Sequence, residues 1–237
     1  MKTLFNNKIW NFFFGLIIFF IFFCCMQLLS FVPLLSHLSD LPADEEQLKN
    51  IIIPFTSYIF IGSTLFPLLM IYFFTRSREK PFIESFKLYV PKRSNILLYL
   101  HHIIVFTVFI ECISLYFPGV LEENFTEIIY INTHSKIVLY ISVVIFAPIF
   151  EELVFRGLMF DGLKEKFGTG FAIFIPALLF ALAHLGQYGF WICFLMVMPM
   201  GLLFGYARLQ SKTLTLPIIL HALNNFIACL FLYFEFY

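Results

Sequence analysis

Apolar stretches long enough to cross a lipid bilayer recur along the whole chain. A helix needs about 20 predominantly apolar residues to span the hydrocarbon core. Seven stretches meet or approach this length: 10–35, 51–75, 96–117, 137–160, 171–186, 189–208 and 214–236. The fifth is short, and charged residues interrupt the fourth. Because 61% of the residues are hydrophobic and only 13% are charged, the chain has too little polar surface to face water on all sides. We therefore expect an all-α, polytopic transmembrane helix bundle of about seven spans.

The chain is expected to form one integral membrane domain over residues 1–237. The spans within 1–136 carry no recognised motif, whereas residues 137–236 hold the polar groups suited to catalysis. The first apolar run is about twice the length of a signal-peptide core and lacks a small-residue cleavage site, so it is expected to be a retained span. A formal net charge of zero argues against a nucleic-acid partner.

Basic and acidic residues alternate between successive loops. Basic residues occupy the N-terminus and the loops after spans two, four and six: Lys2, Lys8, Arg76, Arg78, Lys80, Lys87, Lys92, Arg93, Lys164, Lys166, Arg208 and Lys212. Acidic residues occupy the loops after spans one and three: Asp40, Asp44, Glu45, Glu46, Glu122, Glu123 and Glu127. Since cytoplasmic loops are enriched in Lys and Arg, we expect a cell-membrane protein with a cytoplasmic N-terminus and an external C-terminus.

Two adjacent carboxylates interrupt the fourth span. Ionisable side chains at membrane depth are costly and are usually functional. Glu152 and Arg156 are four residues apart on one helix face, which predicts an ion pair. Glu151 lies about 100° around the helix and has no such partner, which leaves it available for chemistry. A charge cluster at the headgroups is the alternative, but apolar residues 158–160 follow.

Two later spans carry polar residues that are ambiguous when taken alone. His184 lies within the short fifth span, and a lone histidine on an apolar helix is more often a packing or hydrogen-bonding residue. His221 and Asn225 share a helix face because they are four apart, and they could simply bond a neighbouring helix. Combined with Glu151, however, these residues form a hydrolytic set. Glu151 can act as a base for water, His184 can orient that water, and His221 and Asn225 can donate to an oxyanion.

Three motifs in this order resemble those of the CAAX protease and bacteriocin-processing family, also called Abi. The motifs are Glu-Glu-x-x-x-Arg at 151–156, Phe-x-x-x-His at 180–184 and His-x-x-x-Asn at 221–225, and the resemblance covers roughly 140–230. It implies that Glu151 and His184 activate water, that His221 and Asn225 form the oxyanion site, and that Glu152 and Arg156 support them. A membrane-associated peptide or protein is the implied substrate.

The cofactor requirement remains open on the residues alone. Glu151, His184 and His221 could supply three zinc ligands and leave one position for water. Against zinc, ligating histidines normally need a second acceptor for the other ring N–H, and the nearby Glu152 is expected to be committed to Arg156. The family resemblance favours a glutamate-dependent mechanism that uses no cofactor.

Other functions fit the sequence less well. It lacks the His-Glu-x-x-His, Gly-x-Ser-x-Gly and paired-aspartate patterns of other intramembrane proteases. A non-catalytic membrane scaffold or bacteriocin-immunity protein of the same fold is the alternative, although every motif position is present. A proton-coupled transporter would more typically show broken helices in corresponding halves, whereas here the polar set is confined to the C-terminal half. We therefore predict an intramembrane endopeptidase.

Overall fold

A computed structural model of the chain describes residues 8–37, 44–76, 80–116 and 125–236. These residues contain helices and no strand, which confirms the all-α prediction. Seven longer helices are α1 Lys8–Ser30, α2 Thr56–Arg76, α3 Arg93–Tyr116, α4 Lys136–Phe167, α5 Thr169–Ala183, α6 Leu185–Ser211 and α7 Thr215–Phe236. Shorter helices or turns cover Pro33–His37, Glu45–Ile52, Ile53–Phe55, Phe82–Ser85 and Phe125–Asn132.

The predicted fifth span is shorter than the others. Six of the described helices are long and apolar enough to cross a membrane, and α5 is a shorter apolar helix of 15 residues. At 1.5 Å per residue it extends about 22 Å, less than the roughly 30 Å of a hydrocarbon core. Gly168, with a φ of 88°, precedes α5, and His184 ends it outside helical geometry. The chain is thus a multi-pass membrane protein, and its described residues contain six long apolar helices besides the shorter apolar α5.

Helix α4 is the central element of the bundle, because it packs against α1, α2, α5, α6 and α7. Two stretches of α4 are π-helical, Ser142–Phe146 and Leu153–Met159. Such stretches are frequent at functional sites, since they leave backbone groups out of the regular hydrogen-bonding register. Glu151 and Glu152 lie between them, so the two carboxylates occupy the one short α-helical segment in this part of α4.

Two glycines allow helices to approach the central α4 closely. A Cβ at Gly162 would overlap the backbone carbonyl oxygen of Lys8, where α1 begins. A Cβ at Gly201 of α6 would lie 3.1 Å from the Cα of Ala177 and 3.3 Å from the guanidinium of Arg156. The absence of a side chain at Gly201 brings the α6 backbone within reach of Arg156.

Four segments meet at one end of the bundle, which we call the basic end. Lys8 Nζ lies 2.8 Å from Glu165 Oε2, and Lys87 Nζ lies 2.7 Å from Asp161 Oδ2. The hydroxyl of Thr213, between α6 and α7, lies 2.8 Å from the carbonyl oxygen of Lys87. The start of α1, the α2–α3 loop, the end of α4 and the α6–α7 loop are therefore neighbours.

This arrangement gives the helices alternating directions. Helices α1, α3, α5 and α7 begin at the basic end, and α2, α4 and α6 end there. The loops predicted to be cytoplasmic therefore lie at one end of the described bundle. Five charged residues used to predict the orientation lie outside the described residues: Lys2, Asp40, Arg78, Glu122 and Glu123.

Candidate active site

A buried ion pair on α4 lies beneath the candidate site. Glu152 is fully buried and Arg156 is 1% exposed, and Arg156 Nη1 donates to Glu152 Oε1 at 2.9 Å. The predicted ion pair is therefore present. Arg156 Nη2 donates to the carbonyl oxygen of Gly201 at 2.8 Å. One guanidinium thus joins α4 to the closely packed segment of α6.

Glu152 is not committed to Arg156 alone, and that expectation was wrong. The same oxygen, Glu152 Oε1, lies 3.0 Å from His221 Nδ1. A carboxylate oxygen has two lone pairs and can accept from both partners. This contact could not be predicted from the sequence, because it depends on how closely α7 approaches α4. Glu152 is therefore the acceptor that fixes one side of the His221 ring.

Glu151 faces the other nitrogen of the same ring. Its Oε2 lies 3.6 Å from His221 Nε2, and its side chain is 17% exposed. That separation is too long for a direct hydrogen bond, so Glu151 is less constrained than Glu152. Two adjacent carboxylates thus flank one imidazole, with one bonded and one nearby. Their environments differ as the sequence indicated, although the catalytic role of Glu151 stays a prediction.

Aromatic rings enclose the buried cation and hold the imidazole in place. The guanidinium carbon of Arg156 lies 5.0 Å from the ring centroid of Phe180 and 5.5 Å from that of Phe204. The His221 ring stacks on Phe204 at 4.9 Å and meets Phe180 edge-on at 5.5 Å. Cation–π contacts within about 6 Å of a ring are attractive. The two phenylalanines therefore stabilise Arg156 and restrict His221.

His184 ends α5 on the other side of Phe180. Its Nδ1 lies 2.7 Å from the carbonyl oxygen of Phe180, and the two rings are 4.6 Å apart. Because a carbonyl only accepts, Nδ1 must carry the hydrogen, and in the neutral ring Nε2 then has a lone pair. His184 can consequently accept a hydrogen bond from water through Nε2.

Asn225 is held by an unusual backbone acceptor. Its Nδ2 donates to the carbonyl oxygen of Val143 at 2.9 Å. In this π-helical stretch the N–H of Ala147 bonds five residues back, to Ser142. The next donor in that register is Pro148, which has no N–H. The Val143 carbonyl therefore lacks its helical partner, and the side chain of Asn225 satisfies it.

The four predicted catalytic residues line one cavity of about 320 Å³. Glu151, His184, His221 and Asn225 reach it from α4, the end of α5 and α7. Helices α2, α3 and α6 complete its wall with mainly apolar side chains, among them Phe60, Phe106, Ile110, Met196 and Met200. The supporting pair, Glu152 and Arg156, is buried behind this wall. The predicted set is therefore brought together in space, while the individual roles stay predictions.

Several residues that position the site were not identified from the sequence. The Gly201 carbonyl accepts from Arg156, and the Phe204 ring stacks on His221. Asn224 donates to Asn225, and Thr107 of α3 donates to Asn224. A polar residue beside Asn225 within an apolar span was the available signal for Asn224. Nothing in the sequence distinguished Thr107 from other membrane threonines.

His101 and His102 lie on an exposed face of α3, outside the set of residues that line the cavity.

The alternative zinc set does not converge as metal ligands would. Among the residues that the structure describes, no three His, Cys, Asp or Glu side chains form a group suited to a metal ion. The Nδ1 atoms of His184 and His221 are held by the Phe180 carbonyl and Glu152, which are the kind of second acceptors that ligating histidines use. The nearest Glu151–His221 approach is 3.6 Å, and metal-independent catalysis stays a prediction.

The C-terminal part of the chain matches a known protein family. Residues 133–227 match the family model described as Type II CAAX prenyl endopeptidase Rce1-like. Over these residues the chain is similar to the Rce1-like family. The recognition made from the sequence motifs is thereby confirmed, and the Rce1-like segment contains all six predicted site residues. No curated protein and no solved structure matches the chain significantly.

Removing the buried cation should destabilise the Rce1-like segment more than altering Glu151. Arg156→Ala would leave the carboxylate of Glu152 buried without its guanidinium, a change that costs on the order of 3–5 kcal/mol. Glu151→Gln is the matched control, because it changes the adjacent, partly exposed carboxylate on the same helix. Thermal unfolding of the purified proteins in one detergent should show a lower Tm for Arg156→Ala only. Equal Tm values for the two variants would contradict the supporting role of Arg156.

Proposed function

We propose that the chain is an intramembrane endopeptidase that hydrolyses a membrane-associated peptide or protein. The observation that carries this proposal is the single cavity lined by Glu151, His184, His221 and Asn225. A base, a water acceptor and two potential oxyanion donors thus face one space. The Rce1-like match over residues 133–227 supports peptide-bond hydrolysis as the reaction.

In the proposed reaction, water lies between Glu151 and the Nε2 atom of His184. Glu151 removes a proton as the water oxygen forms a bond to the scissile carbonyl carbon. The carbonyl π electrons move onto its oxygen, which Asn225 and His221 stabilise by hydrogen bonding. Collapse of this tetrahedral species breaks the C–N bond, and the proton held by Glu151 passes to the departing amine. The products are a carboxylic acid, which carries the second proton of the water, and an amine, and Glu151 regains its starting state.

His221 must carry two ring protons to donate towards the oxyanion. Nδ1 is directed at Glu152, so an additional N–H on Nε2 exists only in the imidazolium. Charge balance supports this form. Glu151 and Glu152 contribute two negative charges, whereas Arg156 contributes one positive charge, and an imidazolium at His221 completes neutrality. Ionised groups within a membrane protein are normally paired in this way. We propose that His221 acts as a cation fixed by Glu152.

The walls of the cavity suit a substrate that carries apolar groups. Apart from the catalytic set and a few other polar residues, the lining side chains are aliphatic or aromatic, which disfavours a highly charged peptide. The family description names a CAAX prenyl endopeptidase, so an internally quenched, farnesylated peptide ending in Cys-aliphatic-aliphatic-X is a suitable probe. Comparison of membrane peptides from cells with active and inactive protein identifies other substrates without assuming this sequence.

Replacing the proposed base should abolish turnover without loss of the protein. Glu151→Gln preserves side-chain size but removes the carboxylate that accepts the proton, and cleavage of the farnesylated probe should fall at least about 1,000-fold. Lys49→Gln, on an exposed side chain of the short helix Glu45–Ile52, is the control and should retain wild-type turnover. The purified variants should be assayed at equal concentration in lipid nanodiscs.

Full activity of purified Glu151→Gln would overturn the assignment of the base. If wild type cleaves neither the probe nor any peptide in the membrane-peptide comparison, the chain is not a protease. A scaffold or immunity protein of the same fold would then remain.

Catalysis is proposed to need no metal ion. Glu151 and His184 supply the base and the hydrogen-bond acceptor for water. Asn225 and His221 supply hydrogen-bond donors to the oxyanion, which a zinc ion would otherwise stabilise. Turnover of the probe should therefore persist after dialysis against a strong chelator, and metal analysis should find no stoichiometric zinc in the active protein. Loss of activity with the chelator, followed by recovery at one equivalent of zinc, would require reassignment of Glu151, His184 and His221 as ligands.

We propose that the basic end faces the cytoplasm, with the N-terminus inside and the C-terminus outside the cell membrane. The excess of Lys and Arg in the loops at this end supports that orientation. His221 lies six residues into α7, about 9 Å from the basic end, which puts the proposed chemistry nearer the cytoplasmic face. A single cysteine introduced by Lys92→Cys in a cysteine-free background should react with an impermeant maleimide only after cells are opened. Labelling of this cysteine in intact cells would show that the loop lies outside and that the orientation is the reverse of the one proposed.

A further inference from the structure

A line of three polar side chains connects α3 to the proposed oxyanion site. Thr107 Oγ1 donates to Asn224 Oδ1 at 2.9 Å. Asn224 Nδ2 donates to Asn225 Oδ1 at 3.1 Å, and Asn225 Nδ2 donates to the Val143 carbonyl at 2.9 Å. Thr107 is 4% exposed, and Thr107, Asn224 and Asn225 all line the cavity. The line therefore runs along the cavity from α3 through α7 to α4.

The direction of every hydrogen bond in this line is determined at its Val143 end. The Val143 carbonyl can only accept, so the amide nitrogen of Asn225 must face it. The amide oxygen of Asn225 then faces Asn224 and requires a donor, which is Asn224 Nδ2. The amide oxygen of Asn224 is left facing Thr107, whose hydroxyl must donate. Pro148 makes this fixed acceptor available, because it supplies no N–H to Val143.

The orientation of Asn225 matters because its two amide ends have opposite chemistry. An amide nitrogen has two N–H groups, of which one is used by Val143 and the other remains for an oxyanion. A reversed amide would direct its oxygen at Val143 and at the developing negative charge, where both contacts are repulsive. The Val143 carbonyl disfavours that reversal, and the hydroxyl of Thr107 anchors the other end of the line by donating to Asn224 Oδ1, which holds Asn224 Nδ2 against Asn225.

We propose that Thr107 and Asn224 are positioning residues that hold the Asn225 amide, in the direction set by the Val143 carbonyl, for oxyanion stabilisation. This inference rests on the proposed protease function. It also gives α3, which carries none of the recognised motifs, a part in the chemistry. Thr107 acts through Asn224 and Asn225 and does not contact the reacting atoms.

Substitution of Thr107 separates the loss of its hydroxyl from a change in packing. Thr107→Val keeps the side-chain shape but removes the donor. In this variant kcat for the farnesylated probe should fall about 10-fold, with KM little changed. This loss is smaller than the roughly 100-fold or greater loss expected for deleting an oxyanion donor itself. Thr107→Ser restores the hydroxyl and should recover most of kcat. Thr75→Val is the matched control, since the buried Thr75 hydroxyl bonds only to carbonyls of its own helix, Ile71 and Tyr72.

A double-mutant cycle tests whether Thr107 acts through Asn225. In an Asn225→Ala background, Thr107→Val should change kcat by less than about 2-fold, because the amide that it orients is absent. An undiminished 10-fold effect in that background would overturn the proposal. So would a Thr107→Ser variant as impaired as Thr107→Val, since this result would assign the effect to shape and not to the hydroxyl.

A spectroscopic measurement keeps the inference separate from the protease function. With ¹⁵N-labelled asparagine, the side-chain amide signal of Asn225 can be assigned by its loss in Asn225→Gln. This signal should move in Thr107→Val and stay in place in Thr107→Ser and Thr75→Val. An unmoved signal in Thr107→Val would refute the orientation by Thr107 even if the protein is an active protease. If the signal moves but the wild-type protein has no protease activity, the moved signal supports the role of Thr107 and the missing activity refutes the proposed function.

Discussion

The buried carboxylate of Glu152 is the constraint on which the site depends. An ionised group at this depth is tolerated only when it is paired, and Glu152 Oε1 has both Arg156 and His221 as partners. The pairing of this oxygen joins three helices. Arg156 reaches onward to the Gly201 carbonyl of α6, and His221 ties α7 to α4. Phe180 of α5 then packs against both partners. The position of His221, one of the proposed catalytic side chains, follows from this pairing.

Departures of α4 from regular α-helical geometry provide the second part of the arrangement. Two π-helical stretches flank Glu151 and Glu152. In the first stretch, Pro148 leaves the Val143 carbonyl without a helical donor, and Asn225 bonds it. The helix therefore positions a residue of α7 through a backbone group that an ideal α-helix would keep occupied. A proline within an apolar helix is here both a local defect and a means of placing a side chain.

The sequence predicted the parts of this structure that depend on local spacing. Apolar length predicted the helices, and the four-residue spacing of Glu152 and Arg156 predicted their ion pair. Three motifs also predicted four of the residues that line the cavity, Glu151, His184, His221 and Asn225. Contacts between helices were not accessible in the same way. The Glu152–His221 bond requires a specific approach of α7 to α4, and the wrong expectation that Glu152 served Arg156 alone came from considering one helix at a time. Thr107 illustrates the same limit, because its role arises only from its position opposite Asn224.

Direct attack by a water activated by Glu151 is the central claim of this account, and the fate of the acyl group tests it most directly. Purified protein should cleave the farnesylated probe under single-turnover conditions in H₂¹⁸O that contains hydroxylamine. Mass spectrometry of the new C-terminus should then find a carboxylate with one ¹⁸O atom and no hydroxamate, because no acyl group is transferred to the protein. Accumulation of the hydroxamate product would reveal a covalent acyl-enzyme and would contradict the role assigned to Glu151 and its water.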